Sequence, residues 1–273
     1  MPHSCSVGAL VLEMKVSVIT PTYNSSAFIE NCIHNVASQG ESVLEHIVVD
    51  GGSTDGTVDI IQSLQRKQPN LLLIPGPDEG QSDALNKGTA AAAAPIIGIL
   101  NCDDTYQCNA VARAAKIFQT SPHLAFITGN CLIIEGDHRT MTKPKDLRLE
   151  SLLLGPDLVR FPANPASYFY KKALHDSVGG YDVGDHYAMD FDFIIKCALR
   201  TQLHYVDEHW GNFDRHPGSK TFADPEAQRR VEAIIERYRP YLTGKQLKAQ
   251  ARLRKLKTLK AAVRKLRDRA FAR

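Results

Sequence analysis

The sequence predicts an α/β protein in which a mainly parallel sheet is flanked by helices. Short β-branched runs alternate with segments of helical period through the first half of the chain, which is the pattern of βαβ units. Polar clusters rich in Asp, Asn and Gly follow several of these runs, at the points where such sheets bind ligands. With 273 residues, of which 43% are hydrophobic, the chain is long and apolar enough to bury the core of such a sheet.

The individual elements follow from composition and period, taken in chain order. Residues 16–20 are a β-branched run that ends at Pro21, and residues 46–50 are a second run that ends in a Gly-rich turn. Further strands are predicted at 71–74, 95–100, 124–129 and 132–134, with a bend between the last two. Helices are predicted at about 26–40 and at 57–66, 82–94, 110–119, 194–200 and 225–239, where apolar residues recur every three or four positions.

The charge distribution divides the chain into two parts. The whole chain has 33 Lys and Arg against 30 Asp and Glu, but residues 244–273 contain 12 Lys and Arg and one acid, Asp268. Residues 1–243 are therefore net acidic. We expect residues 1–13 to be a disordered extension, residues 14–222 to form the α/β domain and residues 223–273 to form a helical basic tail.

Cysteine usage and apolar run length indicate a cytoplasmic protein. The six cysteines are scattered, with neither a CxxC pair nor metal-ligand spacing, so we interpret them as reduced thiols. The longest apolar runs are shorter than the roughly 20 residues that a membrane-spanning helix needs, and the first residues lack the basic start of a signal peptide.

Two polar clusters at predicted strand ends are candidate nucleotide and metal sites. Asp50 begins a Gly-rich turn between a strand and a helix, where a carboxylate can bind a ribose or base; an ordinary βα turn is the alternative. Asp103 and Asp104 are adjacent carboxylates that repel each other unless a cation joins them, so they suit a divalent ion that binds diphosphate. Helix capping by one of them is the alternative.

Three later clusters add candidate residues. Asp83 and Asn86 lie three apart on one predicted helical face, where capping is again the alternative. Asp190 and Asp192 interrupt an apolar stretch that leads into a helix, and acids beside apolar surface are costly unless they are used. Residues 209–221 form a predicted loop with groups that bind phosphate or metal, namely Arg215, His216 and Lys220.

Taken together and in order, these segments closely resemble the family 2 glycosyltransferases, which have the Rossmann-like GT-A fold. The resemblance covers roughly residues 15–222 and rests on five segments: VSVITPTYN at 16–24, VDGGSTDGT at 49–57, DEGQSDALNKG at 78–88, LNCDD at 100–104 and GGYDVGDHYAMDFDF at 179–193. It implies inverting transfer of a sugar from a nucleotide-diphosphate donor, with UDP-sugars favoured, to an acceptor hydroxyl, assisted by Mn²⁺ or Mg²⁺. The processive-synthase motif Gln-x-x-Arg-Trp is absent, so a single addition is expected.

The resemblance also implies roles for individual residues. Asp104, Asp103 and His216 are the expected metal ligands, with Asp104 first. Asp190 is the expected base although Met189 replaces the family's usual Glu, and Asp192 is the alternative base. The expected donor-binding residues are Pro21, Thr22, Tyr23, Asn24, Asp50, Gly52, Ser53, Asp83, Asn101, Asp103, Arg215 and Lys220.

Two other functions compete with this interpretation. A sugar nucleotidyltransferase would need a Gly-rich basic phosphate loop after the first strand, whereas residues 21–26 contain neither Gly nor a basic residue. A catalytically degenerate scaffold with a basic tail would not need the acids that are kept at the strand ends.

The tail has its own set of interpretations. Leu256, Leu259, Val263, Leu266 and Ala270 follow a 3-4-3-4 spacing among Lys and Arg. Such a helix can lie on anionic lipid, pair with a second copy in a homodimer, or pack one stripe on the body. We favour peripheral attachment to the inner face of the plasma membrane, with a glycan or lipid-linked acceptor of the cell envelope or exopolysaccharide, and expect no nucleic acid partner.

Overall fold

The computed structural model describes residues 13–156, 158–162, 164–185, 187–216 and 225–271. Residues 1–12 of the extension predicted at 1–13, and the candidate Lys220, lie outside the described residues. The described strands form one mixed sheet in the order β3-β2-β1-β4-β8-β6-β9-β5, with β7 paired to β6. The predicted α/β class is confirmed.

The first half of the sheet is parallel, as the alternating pattern predicts. Strands β1 to β4 pair in parallel through β1–β2, β1–β4 and β2–β3. Their bounds are β1 Val16–Thr22, β2 Val43–Asp50, β3 Leu71–Pro75 and β4 Ile96–Ile99. The connecting helices are α1 Ile29–Ala37, α2 Thr57–Gln65 and α3 Gln81–Ala91.

The second half of the sheet is mixed in direction. Strand β8 is antiparallel to β4 and to β6, whereas β6 and β9 are parallel. The remaining strands are β5 Thr105–Tyr106, β6 Phe126–Glu135, β7 His138–Thr142, β8 Tyr168–Lys171 and β9 His204–Asp214. The remaining helices are α4 Ala110–Thr120, α5 Leu149–Leu152, α6 Lys172–Val178, α7 Met189–Arg200, α8 Pro225–Tyr238 and α9 Gly244–Phe271.

Helix α3 packs closely on the sheet. A Cβ atom at Gly88 would lie 2.5 Å from Ile19 of β1, so only glycine allows this approach. Ile19 belongs to a buried cluster that also includes Leu85 of α3 and Ile194 of α7. The N-termini of α3 and α7 are therefore held on the same core.

Several predicted boundaries differ from the structure. Strand β1 continues through Pro21, because the ladder with β2 extends to Thr22. The bend predicted at Gly129 is a register shift within one strand, β6, where the backbone of Glu208 approaches to 2.6 Å of a Gly129 Cβ position. Part of the loop predicted at 209–221 is the end of β9, paired along β6. Helix α7 begins at Met189, five residues before the predicted start, and thereby includes both acids.

Helix α8 packs on the domain through one face, and α9 packs on it through its first turns. Ile234 and Tyr238 of α8 are buried in the main cluster. The first turns of α9 contact α5 through Gln246, 3.4 Å from Glu150, and Gln250, which donates to the Leu153 carbonyl. Beyond them Leu256 and Leu259 are exposed. Among the helices that the described residues form, none combines the length and hydropathy of a bilayer-spanning segment.

Candidate active site

The candidate site lies at the carboxyl ends of β1, β2 and β4, with the N-termini of α3 and α7 beside them. Asp50 ends β2, Asn101 follows β4, and Asp190 lies in the first turn of α7. The Ser82 hydroxyl of α3 donates to the Asp185 carbonyl in the segment before α7. The chain thus brings most of the predicted polar clusters to one edge of the sheet, where α/β folds bind their ligands.

Asp50 organises the turn that follows β2. Its side chain accepts from the backbone N–H groups of Gly52 and Ser53, at 2.9 Å each, and from the Ser53 hydroxyl. Gly52 has a φ of 92°, which favours glycine. Asp50 is almost fully buried, so in this structure it shapes the turn.

The loop after β1 is hydrogen-bonded to the turn that follows β2. The Asn24 side chain accepts from the Thr54 N–H, while the Asn24 N–H donates to the Ser53 hydroxyl at 2.8 Å. Asn24 has a φ of 49°, a conformation that Asn tolerates better than most residues. Tyr23 beside it is 65% exposed, so its ring is open to a ligand. The hydroxyl of buried Thr22 makes no hydrogen bond to a described residue.

Asp78 also lies at this edge of the sheet, although we did not assign it a role from the sequence. A Cβ atom at Gly51 would lie 2.7 Å from one Asp78 carboxylate oxygen and 3.0 Å from the other. Asp78 therefore brings a carboxylate against the turn of Asp50 because position 51 has no side chain. The contact joins positions 27 residues apart, and no local pattern predicts it.

The two adjacent acids after β4 point in different directions. Asp104 is 2% exposed, and its carboxylate accepts from the Asn164 and Asn101 side chains and from the Asp214 N–H. Burial, and secondarily the neighbouring Asp103 carboxylate, raise the pKa of Asp104. Asn101 in turn accepts from Gln81 of α3. Asp104 therefore joins three segments inside the protein.

Asp103 is the partly exposed member of this pair. One Asp103 carboxylate oxygen lies 3.1 Å from Nε2 of His216, just after β9. The His216 ring stacks on Phe28, at a centroid distance of 5.3 Å, which orients the imidazole. Asp104 is the first of the expected metal ligands, and its carboxylate is turned inward, whereas Asp103 and His216 are partly exposed.

Asp83 and Asn86 do not act together as their spacing suggested. The Asp83 carboxylate lies 2.7 Å from Nζ of Lys87 and accepts from the Glu79 N–H. Asn86 instead bonds both the N–H and the carbonyl of Tyr181, at 2.9 Å each. Asp83 remains at the site edge, whereas Asn86 holds the segment that precedes α7.

Asp190 and Asp192 lie on different faces of α7. The half-buried Asp190 carboxylate accepts from the Tyr168 hydroxyl at 2.8 Å. Burial raises the pKa of Asp190 to about 6, against the opposing effect of this hydrogen bond. Asp192 is 1% exposed, lies 2.7 Å from Nζ of Lys196 and accepts from the Tyr238 hydroxyl of α8. Asp192 therefore links α7 to α8, and it is not open to a substrate.

Phe161 and Asn164 contact the two parts of the site. Phe161 packs against Phe191, the neighbour of Asp190, with ring centroids 5.0 Å apart. Asn164, three residues later, binds Asp104. Because three residues span at most about 11 Å, the start of α7 and the acids after β4 lie in the same region of the molecule. Arg215 lies beside this region, with Nη1 3.3 Å from Glu135.

Comparison with known proteins finds glycosyltransferases among the relatives of this chain. An uncharacterized glycosyltransferase of Nostoc, alr2836, is 36% identical over 124 residues, which are 43% of this chain and 38% of that protein. The PGL/p-HBAD biosynthesis glycosyltransferase of Mycobacterium tuberculosis is 28% identical over 222 residues, 79% of this chain and 83% of that protein.

Solved structures share the fold at low sequence identity. S. aureus TarS 1–349, solved in complex with UDP, superposes with a TM-score of 0.64 at 22% identity, covering 81% of this chain and 64% of that chain. The mannosyltransferase PcManGT from Pyrobaculum calidifontis, in complex with GDP-Man and Mn²⁺, gives a TM-score of 0.58 at 20% identity and covers 94% and 80%. These likenesses confirm the GT-A fold. Residues 17–180 match the family model Glycosyl transferase family 2, and the chain therefore belongs to this family.

Proposed function

We propose that the protein is a metal-dependent inverting glycosyltransferase that moves a sugar from a nucleotide diphosphate to an acceptor hydroxyl. The observation that carries the proposal is the half-buried Asp190 carboxylate, which accepts from the Tyr168 hydroxyl, in the same region of the molecule as the partly exposed Asp103 and His216. Family membership supports the same class of reaction.

Asp190 is the base of the proposed reaction. It takes the proton of the acceptor hydroxyl while that oxygen attacks the anomeric carbon, and the nucleoside diphosphate leaves from the opposite face. With a pKa of about 6, the Asp190 carboxylate is ionised at neutral pH and is more basic than an exposed aspartate. Asp192, saturated by Lys196 and Tyr238, keeps a structural role.

The residues present fit a divalent metal. Asp103 offers a carboxylate oxygen and His216 an imidazole nitrogen, a donor set that suits Mn²⁺ and, through oxygen, Mg²⁺. No group of three or more such side chains that could hold a metal occurs among the described residues. When bound, the metal would neutralise the diphosphate as it leaves. Asp103 and His216 would hold it, beside the buried Asp104.

A UDP-sugar is the donor we favour. Tyr23 offers an open aromatic face, and the partly exposed Asp78, against the turn that Asp50 shapes, offers a carboxylate to a base or ribose. The TarS structures contain UDP or UDP-GlcNAc, which supports a uridine donor, whereas PcManGT was solved with GDP-Man. Arg215, the residue before His216, would assist with the diphosphate.

The proposed acceptor is a glycan or a lipid-linked molecule at an anionic membrane surface. The relative named for PGL/p-HBAD biosynthesis supports a cell-envelope product. The described part of α9 exposes five cations and the leucines Leu247, Leu256 and Leu259, the composition of a helix that lies on acidic lipid. Attachment through α9 would hold the enzyme at the inner face of the membrane.

A donor screen tests the proposal. The full chain is mixed with UDP-, GDP- and dTDP-sugars, with and without Mn²⁺, and stabilisation is read by thermal shift. Release of nucleoside diphosphate is then measured for the wild type and Asp190→Asn. We expect a Mn²⁺-dependent shift with one donor class, and loss of turnover with retained donor binding in the variant. Full turnover in Asp190→Asn would exclude the assigned base. In a parallel reaction with a nucleoside triphosphate and a sugar 1-phosphate, release of pyrophosphate would indicate a nucleotidyltransferase instead.

A further inference from the structure

A chain of hydrogen bonds leads from α3 to the Asp190 carboxylate. The Asn86 side chain accepts from the Tyr181 N–H and donates to the Tyr181 carbonyl, at 2.9 Å each. The Tyr181 hydroxyl lies 3.2 Å from that of Tyr168, and the Tyr168 hydroxyl donates to Asp190 at 2.8 Å. Because the Tyr168 proton is used toward Asp190, Tyr181 is the donor to Tyr168.

Tyr168 is rigidly held by its surroundings. It is fully buried on β8, and its ring stacks on Phe126 at a centroid distance of 5.3 Å. Tyr181 is also buried and stacks on Phe193 at 4.3 Å. Since neither ring can move without disturbing the core, the Tyr168 hydroxyl reaches Asp190 from a fixed point.

We propose that Tyr168 is a positioning residue for the base: it fixes the orientation of the Asp190 carboxylate and stabilises its ionised form. The inference rests on the proposed function, in which Asp190 takes the acceptor proton. Buried surroundings alone favour a protonated carboxyl that cannot act as a base, and a donated hydrogen bond opposes this. Tyr168 therefore keeps the Asp190 carboxylate ionised, and able to act as a base, at neutral pH. Tyr181 connects Tyr168 to Asn86 of α3.

Among the described titratable groups near Asp190, Tyr168 is the one that stabilises the ionised carboxylate. Among the described residues, those that face Asp190 are Tyr168 and Tyr170 of β8 and Tyr181. Burial raises the pKa of all three phenols, so they are neutral wherever Asp190 titrates. Tyr170 is equally buried, but its hydroxyl does not donate a hydrogen bond to Asp190. Tyr170→Phe is therefore a matched control for Tyr168→Phe.

Titration of the full-length protein tests the inference without a substrate. Aspartate carboxyl carbons are labelled with ¹³C, the Asp190 signal is identified by its loss in Asp190→Asn, and its midpoint is measured by NMR. We expect a midpoint near the pKa of about 6 in the wild type. Loss of a hydrogen bond to a charged group corresponds to about one pH unit or more, so Tyr168→Phe should raise the midpoint by that amount. Tyr170→Phe should leave it unchanged.

Two results would overturn the inference. One is a midpoint in Tyr168→Phe equal to that of the wild type, and the other is an equal shift in both Phe variants. Should Tyr168→Phe fail to fold, Tyr181→Phe should give a smaller shift in the same direction, and no shift there would contradict us. Failure of the proposed function is separate, because it appears as undiminished turnover in Asp190→Asn.

Discussion

The two acids of α7 should have opposite effects on stability when each is replaced by asparagine. For Asp190 the folded-state pKa of about 6 lies above the unfolded value of 3.8, so ionisation opposes folding. The cost is absent below about pH 4, grows between pH 4 and 6, and is complete above pH 6. Two pKa units correspond to about 3 kcal/mol, and since Asp190 is only half-buried we expect about 1–2 kcal/mol.

Asp190→Asn should therefore raise the free energy of unfolding by about 1–2 kcal/mol at pH 8 and leave it unchanged at pH 4. Asp192→Asn should lower it by about 2–3 kcal/mol, because the change leaves Lys196 without its partner in a largely buried pair. In a domain of this size, these changes correspond to shifts in Tm of about 2–4 °C per kcal/mol.

The assay combines urea unfolding at both pH values with turnover per folded molecule. Asp190→Asn should be more stable at pH 8 and at least about 100-fold less active, whereas Asp192→Asn should be less stable and active. A less stable Asp190→Asn at pH 8 would refute the electrostatic argument. A folded but inactive Asp192→Asn would show that the roles of the two acids are assigned the wrong way round.

Three further predictions concern the rest of the site and the tail. Asn164→Ala should lower the free energy of unfolding by about 2–3 kcal/mol in urea, because it removes a hydrogen bond from the buried Asp104 carboxylate. His216→Ala should weaken Mn²⁺ binding about 10–100-fold by calorimetry, because it removes a donor beside Asp103. Binding to vesicles of anionic phospholipid should fall about 100-fold, at about 1 kcal/mol per charge, when three exposed cations of α9 are replaced by Gln: Lys248, Arg252 and Lys255.

Matched controls accompany these variants. For the tail, three exposed cations of the domain, Lys67, Lys116 and Arg200, are replaced by Gln, which changes the net charge equally and should not affect vesicle binding. Equal losses in both triple variants would exclude α9 as the docking surface. A stability of Asn164→Ala within 0.5 kcal/mol of the wild type would contradict the role of Asn164, and unchanged Mn²⁺ affinity in His216→Ala would remove His216 from the metal site.

Local sequence patterns determined the fold class and the places where polar residues gather. Period and composition are properties of neighbouring residues, so the strands at 16–22, 43–50, 71–75 and 96–99 and the helices between them could be predicted to within a few residues. The clusters at Asp50 and Asp103 were found for the same reason, because each directly follows its strand. The basic tail was visible in composition alone.

Only the tertiary structure decided which of two neighbouring acids is buried and which stays partly exposed. Asp190 and Asp192 are two residues apart, and on a helix this places them about 200° apart, so the outcome depends on where α7 begins and what packs on each face. The partners that separate them, Tyr168 and Tyr238, are distant in sequence. The same holds for Asp103 with His216 and for Asp78 against Gly51, because contacts across the sheet depend on strand order and packing, which no local pattern encodes.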